Sequence, residues 1–109
     1  MPEDVLQRLS ALIETRRRAA SGQSYTAELL AGGPQRCAKK LGEEAIETII
    51  AALANDQAAL TREAADLLYH LLVLLASRQV AFADVLAELG ARLGTSGLAE
   101  KAARQTKSP

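Results

Sequence analysis

Three glutamates crowd the stretch Glu43-Glu44-Ala45-Ile46-Glu47, just behind Lys39-Lys40 and just ahead of Ile49-Ile50. A second acidic pair stands at Glu63 and Asp66. Glu44 and Glu47 are three residues apart, as are Glu63 and Asp66. On a helix that spacing puts each pair on one face. Between the two stretches, Asn55-Asp56 reads as a tight turn followed by a helix cap. Helices joined so closely lie antiparallel. Folding them about Asn55 brings Glu47 level with Glu63 and Glu44 level with Asp66, so four carboxylates converge.

The helix bearing the glutamates, taken by itself, suggests a solvated acidic face. Its apolar arc is Leu41, Ala45, Ile46, Ile49 and Leu53, and the acids lie largely opposite. The following helix changes the weighting. Leu67, Leu68, Leu71, Leu72, Val73, Leu74 and Leu75 surround its whole cylinder, and a helix apolar all round is expected to be buried all round. Glu63 and Asp66 continue the stripe of His70, Val73 and Leu74, so they stand at the rim of something covered. Carboxylates crowded there repel one another and take up protons unless a cation compensates them. Oxygen ligands alone select a hard ion, Mg²⁺ with Mn²⁺ as a substitute, rather than zinc. Mg²⁺ commonly completes its shell with substrate phosphate oxygens. A phosphate ester or anhydride is therefore the expected substrate class.

The elements that must hold these groups are helices. The chain has 109 residues, enough for one domain, 1–109, with a modest core. Apolar residues make up 49% of it, yet Tyr25, Tyr69 and Phe82 are its only aromatics, which favours packed helices over sheets. Lys+Arg and Asp+Glu are both 13, so no global field points to nucleic acid or a membrane surface. The longest apolar run, Leu67 to Ala76, is interrupted by His70 and falls well short of the roughly 20 residues a bilayer requires. Cys37 is the only cysteine, which suits a reduced, cytoplasmic setting and reads as a small apolar residue.

The first helix opens at Pro2-Glu3-Asp4, with Asp4 as its cap, and stops near Ser21-Gly22. A short helix runs from Ser24-Tyr25-Thr26 to Leu30, and Gly32-Gly33-Pro34 breaks the chain. The long helix with the glutamates spans about 35–54, with Gly42 as a weak point costing roughly 1 kcal/mol relative to Ala. Its partner runs to about Ser77. Ala83-Asp84 caps another, ending near Gly94. A short basic tail helix is expected over Leu98 to Arg104, in a partly flexible tail, 97–109. One chain of this size has too few helices to cover the leucine-rich helix on every side. The expected architecture is thus an all-α antiparallel bundle whose four-helix core is completed by a homodimer.

These residues resemble the phosphoribosyl-ATP pyrophosphohydrolases, within the all-α nucleotide pyrophosphohydrolases of the MazG kind. The broad signature, E-E-x-x-E and then E-x-x-D, stands here as Glu43-Glu44-Ala45-Ile46-Glu47 and Glu63-Ala64-Ala65-Asp66. Narrower features are Ser24-Tyr25-Thr26-Ala27-Glu28-Leu29, Lys40-Leu41-Gly42-Glu43-Glu44-Ala45, the run from Glu63 to Leu75, and Ser96-Gly97-Leu98-Ala99-Glu100-Lys101. The resemblance implies Mg²⁺-dependent hydrolysis of phosphoribosyl-ATP to phosphoribosyl-AMP and pyrophosphate, the second step of histidine biosynthesis, by the stand-alone form of the domain. Two other functions share parts of the pattern. One is a house-cleaning pyrophosphohydrolase acting on ordinary (d)NTPs, and the other is a helical dimerisation module with no activity.

Resemblance and spacing together assign Glu44, Glu47, Glu63 and Asp66 to the metal, and with Glu43 they form the catalytic set. Two roles are open to Glu43: orienting a ligand or serving as base, or pairing with Lys39 or Lys40. Lys40 is either a phosphate contact or the partner of Glu44 in an i,i+4 salt bridge. Arg16, Arg17 and Arg18 close the first helix, where cations complement its dipole; Arg17 and Arg18 are candidates for phosphate or ribose. Ser24 and Thr26 either cap the next helix or line the pocket with Tyr25. Arg92, Lys101 and Arg104 form a basic end able to cover substrate. His70, four residues after Asp66, either hydrogen-bonds to Asp66 behind the metal or is a core histidine.

Overall fold

The computed structural model describes residues 4–19, 22–93 and 104. Five helices make up the described fold: α1 (Val5–Arg16), α2 (Tyr25–Ala31), α3 (Gly33–Leu53), α4 (Gln57–Ser77) and α5 (Phe82–Arg92). No strand occurs among the described residues. The fold is all-α, as expected. Lys101 and the rest of the tail helix lie outside the described residues, apart from Arg104, which is helical.

The frame is the α3–α4 hairpin, the largest helix–helix contact of the chain. Its turn is chemically specified. Asn55 takes a left-handed backbone, φ 58°, a conformation asparagine tolerates better than most residues. The Asn55 N–H then closes on the Ala52 carbonyl and the Asp56 N–H on the Ala51 carbonyl, satisfying two carbonyls that α3 leaves open. Asp56 caps α4 by accepting from the Ala59 N–H at 3.0 Å. The far end of α4 repeats the device. Gln79 takes φ 60° while its N–H and that of Val80 close on Ala76 and Leu75.

Several boundaries differ from the sequence expectation. Asp4 occupies the N-cap of α1 without a capping side-chain bond. α1 ends at Arg16, short of Ser21-Gly22, because the N–H groups of Arg18 and Ala19 close on carbonyls three residues back and tighten the chain. α3 begins at Gly33 rather than Gln35. Gly33 turns the chain with φ 83°, and Pro34 fits the first helical turn, where a missing N–H costs nothing. α5 begins at Phe82 with Ala81 at its cap, and Asp84 lies inside the first turn, where its charge faces the positive helix end.

The core sits toward the C-terminal half of α4. Ile13 from α1, Leu29 from α2, Cys37 from α3 and Leu72, Val73 and Ala76 from α4 are all buried together. Cys37 Sγ donates to the Leu29 carbonyl at 3.3 Å, and burial raises the pKa of its thiol, so it serves as a packed apolar residue. Toward the turn, the hairpin is bare. Ile46, Ile49 and Ile50 are about three-fifths exposed and Leu53 is 83% exposed. Leu68 on α4 is exposed as well. The complete burial expected of α4 is therefore not achieved within one chain, because α1, α2 and α5 leave its N-terminal half uncovered.

Candidate metal centre

The acids stand where the covered and bare parts of the hairpin meet. Glu44, Glu63 and Asp66 each offer one carboxylate oxygen, and the three oxygens lie within 4.8 Å of one another. Between the helices, Thr48 Oγ1 donates to the Glu44 carbonyl at 2.7 Å and lies 3.2 Å from the Glu63 carbonyl. The hydroxyl proton is shared between two carbonyls on different helices.

Glu47 is not a member of the three-oxygen group. It stands almost one turn further along α3, lining an open groove of about 470 Å³ with Lys40, Glu43, Glu44 and Ile46. Its charge still acts on Glu44. Thus the hairpin brings together three of the four expected ligands and sets the fourth beside them.

Electrostatics single out Glu44. Its Oε2 is sealed from solvent and, as a carboxylate oxygen, meets no donor. Burial is the largest cause that pushes its pKa up to about 7, followed by the Glu47 charge, a hydrogen bond to Glu63 and the charges of Asp66 and Glu63. A buried oxygen without a partner, beside two further carboxylates, suits a hard divalent cation with all-oxygen ligands.

Lys40 resolves one open choice. Its Nζ pairs with Glu43 Oε1 at 3.1 Å, not with Glu44, and that bond chiefly raises its pKa. Ser24 caps α2 by accepting from the Ala27 N–H at 3.2 Å, and the Thr26 hydroxyl hydrogen-bonds with the Tyr69 hydroxyl. Half-exposed Tyr25 stacks on Tyr69, with centroids 6.4 Å apart and planes 20° apart. His70 packs edge-on against both rings, at 6.0 Å from Tyr25 and 5.0 Å from Tyr69. It is buried, its Nδ1 meets no partner, and burial is the main cause that lowers its pKa, with Lys40 adding to it. Asp66 acts on His70 through charge.

Arg17, Arg18 and Arg92, the other described cationic candidates, make contacts away from the clustered acids. Arg17 forks onto Glu14 at 3.0 and 3.1 Å and donates to the Ala76 carbonyl. Ala76 is more than two turns along α4 from Asp66, about 15 Å at 1.5 Å per residue. Arg18 acts on the same glutamate. Arg92 pairs with Glu88 on α5, at 3.1 Å. A cavity of about 620 Å³ lies beside Glu14, Arg17, Leu75 and Phe82, and none of Glu43, Glu44, Glu47, Glu63 and Asp66 lines it. Of the three arginines that close α1, Arg16 is the one whose charge acts on Tyr69. Sequence reasoning assigned nothing to Thr48, whose hydroxyl reaches carbonyls on both arms of the hairpin. The only sequence signal for Thr48 is its position one turn after Glu44.

The hairpin thus gathers facing carboxylates beside a lysine and an aromatic wall, and sequence comparison places the chain among the nucleotide pyrophosphohydrolases. Residues 6–93 match the family model described as phosphoribosyl-ATP pyrophosphohydrolase. Relatives named phosphoribosyl-ATP pyrophosphatase agree. The protein of Rhodobacter capsulatus is 60% identical over 99 residues, covering 91% of this chain and 96% of its own. That of Dinoroseobacter shibae is 60% identical over 100 residues, 92% of this chain and 98% of its own. One from Cereibacter sphaeroides (strain ATCC 17025) is 59% identical over 100 residues, with 92% and 97% covered. The chain belongs to the phosphoribosyl-ATP pyrophosphohydrolase family and is a hydrolase.

Proposed function

We propose that this chain hydrolyses phosphoribosyl-ATP to phosphoribosyl-AMP and pyrophosphate, the second step of histidine biosynthesis, with Mg²⁺ held by Glu44, Glu63 and Asp66 and completed by Glu47. The observation that carries the reading is the convergence of three carboxylate oxygens, from Glu44, Glu63 and Asp66, within 4.8 Å, with Glu44 Oε2 buried and without a partner. Family membership supplies the substrate. Bound there, Mg²⁺ would neutralise polyphosphate charge and lower the pKa of a water.

The protein groups divide the remaining work. Lys40, held by Glu43 at the mouth of the groove, offers a cation to incoming phosphate. Tyr25 exposes half of a ring that is already stacked, so it can receive a flat or sugar-bearing part of the nucleotide at little entropic cost. His70, with its pKa lowered, stays neutral at physiological pH and adds no charge behind the acids. The bare isoleucines of α3 support a homodimer in which a second hairpin covers them, since contiguous apolar surface of this kind marks an interface.

Turnover of phosphoribosyl-ATP, compared with that of dCTP, dUTP and ATP with and without Mg²⁺, tests the reading. A strong preference for phosphoribosyl-ATP that disappears on chelation is expected. Comparable rates on ordinary nucleotides would indicate a house-cleaning enzyme. No turnover on any of them would favour a helical dimerisation module.

A further inference from the structure

Thr48 carries no charge and belongs to no expected ligand set, yet it is the residue that bridges the two arms of the acid site. Its Oγ1 lies 2.7 Å from the carbonyl of Glu44 and 3.2 Å from the carbonyl of Glu63. Both carbonyls belong to residues whose own carboxylates meet in the three-oxygen group. Each lies inside a helix, and a carbonyl oxygen has a second lone pair free after its helical bond. The bridge therefore forms without breaking either helix.

Its value is directional. The Asn55 turn ties the two helices at one end, but about two helical turns away, at Thr48, apolar packing is attractive without itself fixing the fine register of one helix along the other. A slide of a single residue moves the arms by about 1.5 Å. A hydrogen bond across the interface tolerates much less displacement than that. We propose that Thr48 is a positioning residue for the cation: its hydroxyl locks the α3–α4 register and so sets the separation of the Glu44 and Glu63 carboxylates. This inference rests on the metal reading given above.

A locked register matters most to an ion that demands strict geometry. Mg²⁺ requires near-ideal octahedral contacts at about 2.0–2.1 Å, whereas Ca²⁺ accepts irregular shells at about 2.3–2.6 Å. Loss of the bridge should therefore weaken Mg²⁺ binding more than Ca²⁺ binding. A general loss of fold would weaken both alike.

The experiment is calorimetric titration of the metal-free full chain with Mg²⁺ and with Ca²⁺, together with thermal melts. The variants are Thr48→Val, which keeps the shape and removes the hydroxyl, Thr48→Ala, which also removes it, and Thr48→Ser, which keeps it. Glu44→Gln reports on the site itself. Expected is a loss of about tenfold in Mg²⁺ affinity for the Val and Ala variants, with Ca²⁺ much less affected and Ser near wild type. Wild-type Mg²⁺ affinity in Thr48→Val, an equal loss for both ions, or failure of Ser to restore binding would overturn the positioning role while leaving the metal site standing. If the wild type takes up no Mg²⁺, or Glu44→Gln binds it undiminished, the metal reading fails and the role of Thr48 fails with it.

Discussion

Glu44 and Glu63 bring carboxylate oxygens within 4.8 Å of each other across the α3–α4 hairpin, so that burial and the neighbouring acids, Glu63 among them, favour a protonated Glu44. The pair thus changes character with pH. Its carboxyl is held at about 7 rather than near the ordinary value of 4.5. Between those values the folded chain keeps a proton that the unfolded chain has released. The stabilisation is complete below about pH 4.5 and is lost as pH rises through about 7. Denaturant titrations of metal-free protein across that range should show stability declining with pH. Glu44→Gln should flatten the decline, and an unchanged slope in that variant would argue against the assignment to Glu44. Because binding a cation expels the proton, Mg²⁺ affinity should rise over the same range.

Removal of single acid charges should separate chemistry from folding. Asp66→Asn and Glu47→Gln are expected to keep their helical circular dichroism and melt no lower than wild type, since each relieves repulsion among carboxylates. Turnover should fall by about a hundredfold or more in Asp66→Asn, as lost charge stabilisation of several kcal/mol implies. Full activity in both variants would rule out the site.

Lys40 is held in place by Glu43. Lys40→Met should leave thermal stability unchanged and raise KM for the nucleotide by about tenfold, the scale of one lost charged hydrogen bond. Glu43→Gln should have a milder effect, because it loosens the lysine without removing its charge. If instead Glu43→Gln abolished kcat and left KM alone, Glu43 would act on the reacting groups directly.

A charge on the bare face should expose the dimer. Ile49→Glu is expected to leave the core shared by α1, α2, α3 and α4 intact, because Ile49 lies outside it. Light scattering at micromolar concentration is expected to report a dimer for the wild type and a monomer for this variant. A wild-type monomer would show that the apolar face serves another purpose.

Gln79 takes a left-handed backbone, φ 60°, that favours glycine. Gln79→Gly should stabilise the chain by about 0.5–1 kcal/mol, net of the added freedom of the unfolded chain. A rise in melting temperature checks this, and a fall would mean that the Gln79 side chain contributes more than its backbone costs.

The hairpin and its acids were readable because they obey local rules. Asn55-Asp56 specifies turn and cap by itself, and three-residue spacing needs only helical periodicity. What the sequence left open depended on partners distant in the chain. Arg17 is drawn to Glu14 and Ala76, and no spacing announces the carbonyl of a residue on α4. Lys40 chose Glu43 over Glu44 by rotamer, a decision that i,i+3 and i,i+4 neighbours leave nearly even. α5 started early because Ala81 has no side chain with which to declare a cap. The leucines of α4 led to the expectation of cover from a second chain; within one chain the apolar surface left bare lies mostly on α3.

The turn at Asn55 also bears on how the molecule comes to exist. Glu44, Thr48, Glu63 and Asp66 are sequence neighbours on one short-looped hairpin, so closing their contacts costs little chain entropy. Contacts of such low order form early in folding. The reactive centre should therefore take shape before α1 and α5 have docked, and substitutions in those outer helices should speed unfolding while leaving the rate of folding almost untouched.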